Sequence, residues 1–98
     1  MSESTLARAW PAELDDVASV VLHRAEANRA RLEELVRIPS ISAAGHDPAQ
    51  VRRCAEATAA ILGEAGLEQV RLLELDGTHP AVYGESLHAG ASIPTVLL

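Results

Sequence analysis

The stretch Gly66-Leu67-Glu68-Gln69-Val70-Arg71-Leu72-Leu73-Glu74-Leu75-Asp76-Gly77 marks a change in the hydrophobic period of the chain. Its first glycine follows an amphipathic run, and this position predicts the left-handed residue that ends a helix. The branched residues that come next, closed by the turn pair Asp76-Gly77, predict a strand over residues 69–75. A helix and a strand therefore adjoin within a few residues, which indicates an α/β chain.

A helix over residues 48–65 is predicted directly before this stretch. Asp47 is a good N-cap residue, Pro48 suits the first helical position, and Gln50 can reach back as in a capping box. Helical spacing then predicts one buried stripe, in which the single cysteine is a small buried apolar residue. The stripe comprises Val51, Cys54, Ala55, Thr58, Ile61 and Leu62.

An earlier helix is predicted over residues 12–36, beginning after Pro11 and ending before Pro39. The positions of its largely apolar stripe recur at alternating steps of four and three residues, which is the spacing of one helix face. They are Leu14, Ala18, Val21, Ala25, Asn28, Leu32 and Leu35.

Two further strands are predicted, over residues 81–85 after His79-Pro80 and over residues 94–98. The unbroken apolar run Pro94-Thr95-Val96-Leu97-Leu98 is typical of a strand that is buried on both faces. A terminal carboxylate at the end of such a strand would lie in a sheet core, where an unpaired charge is costly. We therefore expect the sequence to be the truncated amino-terminal part of one larger domain.

Composition narrows the classes of function. The 98 residues carry 48% apolar and 22% charged residues, as soluble globular domains do, but only one Trp, one Tyr and no Phe, so the core should be thin. A net charge of −6 opposes nucleic-acid binding. The longest helical apolar run, Val17–Leu22, is too short to span a bilayer. We expect a cytoplasmic protein with no nucleic-acid or membrane partner, and a flexible segment over residues 1–10.

Three stretches, in this order, resemble the start of the zinc-dependent metallopeptidase family of aminoacylases, deacylases, glutamate-releasing carboxypeptidases and dipeptidases. The first is Leu35-Val36-Arg37-Ile38-Pro39-Ser40-Ile41-Ser42, which is similar to the segment that ends a long helix in that family. The second runs from Val51 to Glu68 and is similar to the family's second helix and the loop into its first strand. The third is His79-Pro80-Ala81-Val82-Tyr83-Gly84-Glu85 with Pro94–Leu98, and it resembles the broad-specificity branch of carnosine-type dipeptidases.

The resemblance covers residues 30–98 and implies the first two helices and first three strands of a three-layer α/β/α catalytic domain. It implies a hydrolase that cleaves dipeptides or small acylated amino acids with a water activated by two zinc ions, in a family whose members are often homodimers. The family's first zinc ligand belongs to a Gly-His-x-Asp segment that directly follows the strand matching residues 95–98. No residue of this chain matches a zinc ligand or the catalytic Glu, so the resemblance assigns no catalytic, cofactor or metal residue here.

Several residues are candidate sites because of their own chemistry. His23 and Glu26 are too few to hold a metal and fit a solvated helix face better. His46, His79 and His88 fall in predicted loops, where turn chemistry accounts for them. Gly84–His88 lacks the second glycine and the following helix of a nucleophile elbow, and Cys54 fits a buried stripe better than a nucleophile. The rival hypothesis is a stand-alone interaction module, in which the first helix pairs with a partner or with itself.

Overall fold

The computed structural model describes residues 11–98, which form a mixed α/β structure with five helical or extended segments beyond one short 3-10 turn. The expectation of a flexible segment at residues 1–10 lies outside the described residues. The chain divides into two compact units, with the boundary between Glu33 and Glu34. Each unit is described by itself below.

The first unit is helical. A 3-10 turn over Ala12–Leu14 leads into α1, Asp15–His23, and α2 spans Ala25–Val36 and runs past the unit boundary. The prediction of one continuous helix over residues 12–36 is therefore wrong in detail.

The interruption between α1 and α2 is one residue wide and has a local cause. At Arg24 the backbone has φ −97° and ψ 4°, and its N–H is shared between the carbonyls of Val20 (3.1 Å) and Val21 (3.2 Å). One residue earlier, His23 Nδ1 donates to the Ser19 carbonyl at 2.9 Å, so a side chain competes for a carbonyl of the helical ladder. The ladder resumes at once, because Asn28 N–H donates to the Arg24 carbonyl at 2.8 Å.

In the second unit, α2 ends in two tight turns around Pro39. Ser40 N–H donates to the Ile38 carbonyl at 2.7 Å, and Ile41 N–H donates to the Pro39 carbonyl at 3.0 Å. Proline cannot continue the helix, so the chain turns here and carries Ile38 inward. Ile38 is 8% exposed and is one of two buried apolar residues among the described residues.

Helix α3 spans Pro48–Glu64, one residue shorter than predicted, and begins as its cap residues indicate. The Asp47 side chain accepts a hydrogen bond from Ala49 N–H at 3.0 Å, and Pro48 occupies the first turn. The capping box itself is not formed, so that part of the prediction is wrong. Gln50 turns inward instead, and its side-chain oxygen is buried with no hydrogen-bond partner in the described part of the chain.

The predicted stripe of α3 is the face of the helix that packs against the rest of the second unit. Ala55 is 8% exposed, and the other five stripe residues are half-buried, Cys54 among them. The cysteine is therefore less buried than expected.

Helix α3 ends at the predicted glycine. Gly66 has φ +92°, its N–H donates to the Gly63 carbonyl at 3.0 Å, and Leu67 N–H donates to the Leu62 carbonyl at 3.1 Å. These two bonds form a Schellman motif, which satisfies the last carbonyls of the helix and turns the chain back. The apolar residues at its two ends, Leu62 and Leu67, meet Gly84 of the second strand, where an added Cβ would lie 3.5 and 3.3 Å from their δ-carbons.

The chain then forms an antiparallel hairpin of β1, Glu68–Leu73, and β2, Ala81–Glu85. The second strand is confirmed with its predicted bounds. The first ends two residues early, because the Leu75 carbonyl is used by a turn: it accepts from Thr78 N–H (3.2 Å) and from the Thr78 hydroxyl (3.0 Å). Gly77, with φ +78°, supplies the left-handed residue of that turn.

The hairpin contains a bulge that the sequence did not predict. Glu68 pairs with Glu85 and Arg71 pairs with Tyr83, so β1 has one residue more than β2 between these pairs. Gln69 lies in this bulge with φ +53°, a left-handed conformation that is uncommon for a residue with a side chain.

The predicted third strand is absent from the described residues. Residues 94–98 have no strand pairing, and Val96, Leu97 and Leu98 are 78%, 93% and 112% exposed. The prediction was wrong because apolar, branched composition favours a strand only where the segment pairs with a sheet edge, and residues 94–98 pair with neither edge of the two-stranded sheet.

The second unit has two layers. Helix α3 contacts both strands, and the inward residues of β1 alternate, with Val70 and Leu72 half-buried and their neighbours exposed. The opposite face of the hairpin, which we call the open face, carries Arg71, Leu73, Tyr83 and Glu85. No helix within residues 11–98 is both long and apolar enough to cross a membrane.

Two glycines of the α3 end provide a matched test of this geometry. Neither Gly63 nor Gly66 has an atom within 4 Å of an added Cβ, so only backbone conformation separates them. We expect Gly66→Ala to lower the free energy of unfolding by about 1 kcal/mol because φ is positive there. Gly63→Ala should raise it by about 0.8 kcal/mol because this glycine is helical. Urea unfolding followed by circular dichroism measures both, and the same sign for both variants would contradict the Schellman end.

Candidate functional site

The open face of the hairpin carries a cluster of polar side chains that contact one another. Tyr83 and Glu85 are both on β2 and lie two residues apart, so strand alternation places them on one face. Arg71 is the cross-strand partner of Tyr83 and lies on the same face. The cluster Arg71–Tyr83–Glu85 is therefore assembled by the register of the hairpin.

Its contacts are direct. The Tyr83 hydroxyl donates to Glu85 Oε2 at 2.8 Å, and the Arg71 guanidinium carbon lies 4.6 Å from the centre of the Tyr83 ring. The second contact has cation–π geometry, with the positive charge over the negative face of the ring.

The neighbouring charges act on the phenol in opposite directions. The hydrogen bond to Glu85 raises the pKa of the Tyr83 hydroxyl above its ordinary value, and burial of the hydroxyl and the Glu85 charge add to this, while the Arg71 charge lowers that pKa. The net result is a raised pKa. Tyr83 therefore holds its proton at neutral pH and is a hydrogen-bond donor.

A cleft of about 310 Å³ lies beside this cluster. One wall is β2 from Tyr83 to Glu85, and the other is the segment from Ile93 to Leu97. The first wall provides a phenol and a carboxylate, and the second is largely apolar. Such a cleft can accept a small molecule that presents a hydrogen-bond donor or positive charge to Glu85 and an apolar group to the second wall.

The histidines considered from the sequence lie in separate places. His79 Nε2 donates to the Ser42 carbonyl at 3.1 Å, and the His88 ring bonds the Glu68 carboxylate. His46 is in the bend before α3, and its N–H donates to the Ala43 carbonyl at 3.4 Å. The structure therefore gives His79 and His88 different partners, rather than joining the three loop histidines in one cluster.

The chemistry of zinc, which the family resemblance implies, does not fit the described residues. Within residues 11–98 there is no group of three or more His, Cys, Asp or Glu side chains that could hold a metal ion. His23 and Glu26 are exposed and fall on either side of the break at Arg24.

The last two candidates from the sequence, the Gly84–His88 segment and Cys54, lie in places that indicate a structural role. Gly84 and Glu85 are strand residues, and Ser86 to His88 continue as coil with no helix after them. Cys54 is half-buried on α3, where its carbonyl accepts from the Thr58 hydroxyl at 2.8 Å.

An ion pair joins α3 to the hairpin. Arg52 bonds the Glu74 carboxylate, and its Nε donates to Glu56 Oε1 one helical turn away at 3.2 Å. The hydrogen bond and charge of Arg52 lower the pKa of Glu74, and those of Glu74 raise the pKa of Arg52. Both side chains are about half exposed, so the pair positions the strand end more than it stabilises the fold.

Sequence reasoning did not identify the Arg71–Tyr83–Glu85 cluster. The alternation of Tyr83 and Glu85 on one strand was visible, but the partner on β1 depends on a register that includes the bulge at Gln69. The sequence feature that could have indicated the cluster is the single tyrosine, Tyr83, which lies next to Gly84 in β2.

Comparison with known proteins adds no relative, because no protein-family model, no curated protein and no solved structure matches this chain.

The single tyrosine makes the cluster testable by titration. Because Glu85 raises the pKa of Tyr83 and Arg71 lowers it, Glu85→Gln should move that pKa down toward 10.0, and Arg71→Gln should move it further up. The ultraviolet absorbance of the phenolate reports Tyr83 alone. Shifts of the same sign in the two variants would contradict the geometry of the cluster.

The Arg52–Glu74 pair predicts a pH-dependent contribution to stability. The folded-state pKa of Glu74 is lowered from 4.5, so the pair stabilises the fold above that pH and is lost as the pH falls through the lowered pKa. Glu74→Gln should therefore destabilise at neutral pH and have no effect in strong acid. Added salt should weaken the effect.

A control for this prediction is Asp76→Asn, which removes the same charge two residues away in the adjoining turn. Urea unfolding at several pH values compares the two variants. Equal pH profiles for Glu74→Gln and Asp76→Asn would show that net charge, rather than the Arg52 contact, is responsible.

Proposed function

We propose that this chain is the amino-terminal part of the catalytic domain of a cytoplasmic, zinc-dependent hydrolase that cleaves dipeptides or small acylated amino acids. In this proposal the described residues form scaffold, and the two zinc ions and the catalytic base belong to residues outside this sequence. No step of the reaction is assigned to residues 11–98. In this proposal residues 11–98 form and position the first strands of the sheet.

The observation that supports this proposal best is the packing of α3 on both strands of the hairpin, in the chain order that the resemblance implies. The helix over Pro48–Glu64 and the Schellman turn fall in the second resembling stretch, and the strand Ala81–Glu85 falls in the third, whose Pro94–Leu98 part forms no strand. The first resembling stretch contributes Ile38, which is buried.

A second supporting observation is the open face. In a three-layer α/β/α domain both faces of the sheet are covered by helices, whereas α3 covers one face here. Leu73 is 45% exposed and Leu75 is 77% exposed on or beside the hairpin. We propose that a second helical layer of the complete domain packs on the open face.

The rival function, an interaction module, is favoured by a different observation. The apolar side chains of α1 are exposed, with Val17 at 58%, Val21 at 56% and Leu22 at 75%. A contiguous apolar helix face marks an interaction surface, whether the partner is another protein or another part of the same protein.

The hydrolase proposal predicts the coding sequence that follows Leu98. It should encode Gly-His-x-Asp within about five residues, because the resemblance places this active-site segment directly after the stretch that matches residues 95–98. A Glu base and further His and carboxylate ligands should come later. Genomic sequencing past Leu98 is the measurement.

The joined protein should hydrolyse dipeptides or acylated amino acids, lose this activity to a chelator and regain it with divalent metal. The 98-residue chain alone, assayed in parallel, is the control and should be inactive. Unrelated downstream sequence, or a joined protein that folds but hydrolyses neither substrate class, would refute the family assignment.

A further inference from the structure

The apolar face of the first unit has the geometry of a coiled-coil seam. Six positions of this unit, from Leu14 to Leu32, alternate in steps of four and three, which is the spacing of core positions in a heptad repeat; five are apolar and Asn28 is polar. The structure shows these residues helical from Asp15 to Val36 except for the single residue Arg24. Within the first unit the seam runs from Leu14 to Leu32.

One end of this seam forms an open groove. The groove is lined by Leu14, Val17, Ala18, Val21 and Leu22, and almost all of its surface is apolar. Leu14, Val17, Ala18 and Val21 stand at positions i, i+3, i+4 and i+7, and four residues at this spacing form the hole that receives a side chain from the facing helix in a coiled coil. Ala18 is the smallest of the lining residues and leaves room for that side chain.

We propose that the occupant of this groove is a second copy of the chain, paired antiparallel across residues 14–32. In this register Leu14 faces Leu32 of the second copy, Ala18 faces Asn28, and Val21 faces Ala25. Leu14 and Leu32 form an apolar layer at each end of the pair, Val21 meets the smaller Ala25, and the polar Asn28 lies opposite the smallest groove residue. The two-fold axis passes beside residue 23, so the breaks at Arg24 of the two copies coincide.

Opposite charges at the flanks of the seam favour this antiparallel register. In an antiparallel pair the position after one core residue faces the same position of the other helix, which brings Asp15 beside Arg29 of the second copy, twice by symmetry. Arg29 is 82% exposed along its side chain, and its Nε–H donates to Glu33 of the same helix at 3.3 Å. Arg24 meets its own copy, and this like-charge contact limits the strength of association.

The inference does not depend on the hydrolase proposal, because it uses only residues of the first unit and is tested on the 98-residue chain. With fewer than three heptads and one repulsive contact, we expect association in the range of roughly 10 to 100 µM. Sedimentation equilibrium across that range should show a monomer–dimer equilibrium.

The chain offers a matched pair of valines for the decisive test. Val21 lies in the seam and Val20 does not, and they are 56% and 53% exposed, so neither substitution removes a buried side chain. Val21→Lys should weaken dimerisation at least about 30-fold, because it places two ammonium groups in the seam. Val20→Lys should change it less than about threefold. Circular dichroism should show equal helix content for the two monomers.

A charge exchange tests the register. Asp15→Arg and Arg29→Asp should each weaken dimerisation, and the double variant should restore it, since the pair is re-formed with its signs reversed. A chain that stays monomeric, equal effects of Val20→Lys and Val21→Lys, or a double variant weaker than both single variants would each overturn the proposal. Loss of hydrolase activity in a longer protein would not bear on it, so the two proposals can fail separately.

Discussion

The left-handed turn at Gly66 is the constraint on which the second unit depends. It reverses the chain after α3, so that β1 starts next to the helix end it has just left. The same turn brings Leu62 and Leu67 together, and both lie against Gly84 in the other strand. A side chain at Gly84 would have to displace the δ-carbon of Leu67 by a few tenths of an ångström. The helix end, the hairpin and their contact are thus one geometric unit, held by one glycine in the turn and another in the strand.

The core that this unit encloses is thin, and its chemistry explains why. Ile38 and Ala55 are buried, while the rest of the α3 stripe is half-buried. The chain has no Phe, and alanines occupy much of α3, so little apolar area per residue is available to remove from water. Specific local structure, including the Asp47 cap, the Schellman end and the turn at Gly77, therefore carries a larger share of the stability than in a domain with a large core.

The features that were predictable from the sequence are those set by neighbouring residues. The start of α3 follows from Asp47 and Pro48, its end from Gly66, and β2 from an alternating run after His79-Pro80. The break at Arg24 was missed because it depends on a hydrogen bond from the neighbouring His23 ring to the Ser19 carbonyl, one turn back along the helix. Strand formation at residues 94–98 was wrongly expected because pairing requires a partner edge that composition cannot reveal.

The candidate site also depends on contacts between residues that are distant in the sequence. Tyr83 and Glu85 are neighbours on one strand, but the approach of Arg71 depends on the hairpin register. One inserted residue shifts every cross-strand partner, and the bulge at Gln69 supplies that residue between Glu68 and Arg71. Beyond the bulge Arg71 is brought opposite Tyr83, and its charge partly offsets the effect of Glu85 on the phenol.

The two exposed apolar surfaces differ in what can cover them. The open face of the hairpin is interrupted by Arg71 and Glu85, whose charges remain hydrated unless a covering layer provides partners. A layer there must therefore match polar groups as well as apolar area, as the interior of a larger domain does. The seam of α1 and α2 carries charge at its flanks rather than across it, so a second helix can bury the apolar positions and leave the flanking charges in water. The seam therefore suits association with another helix, whereas the open face suits the interior of a domain, where a covering layer can provide partners for its charges.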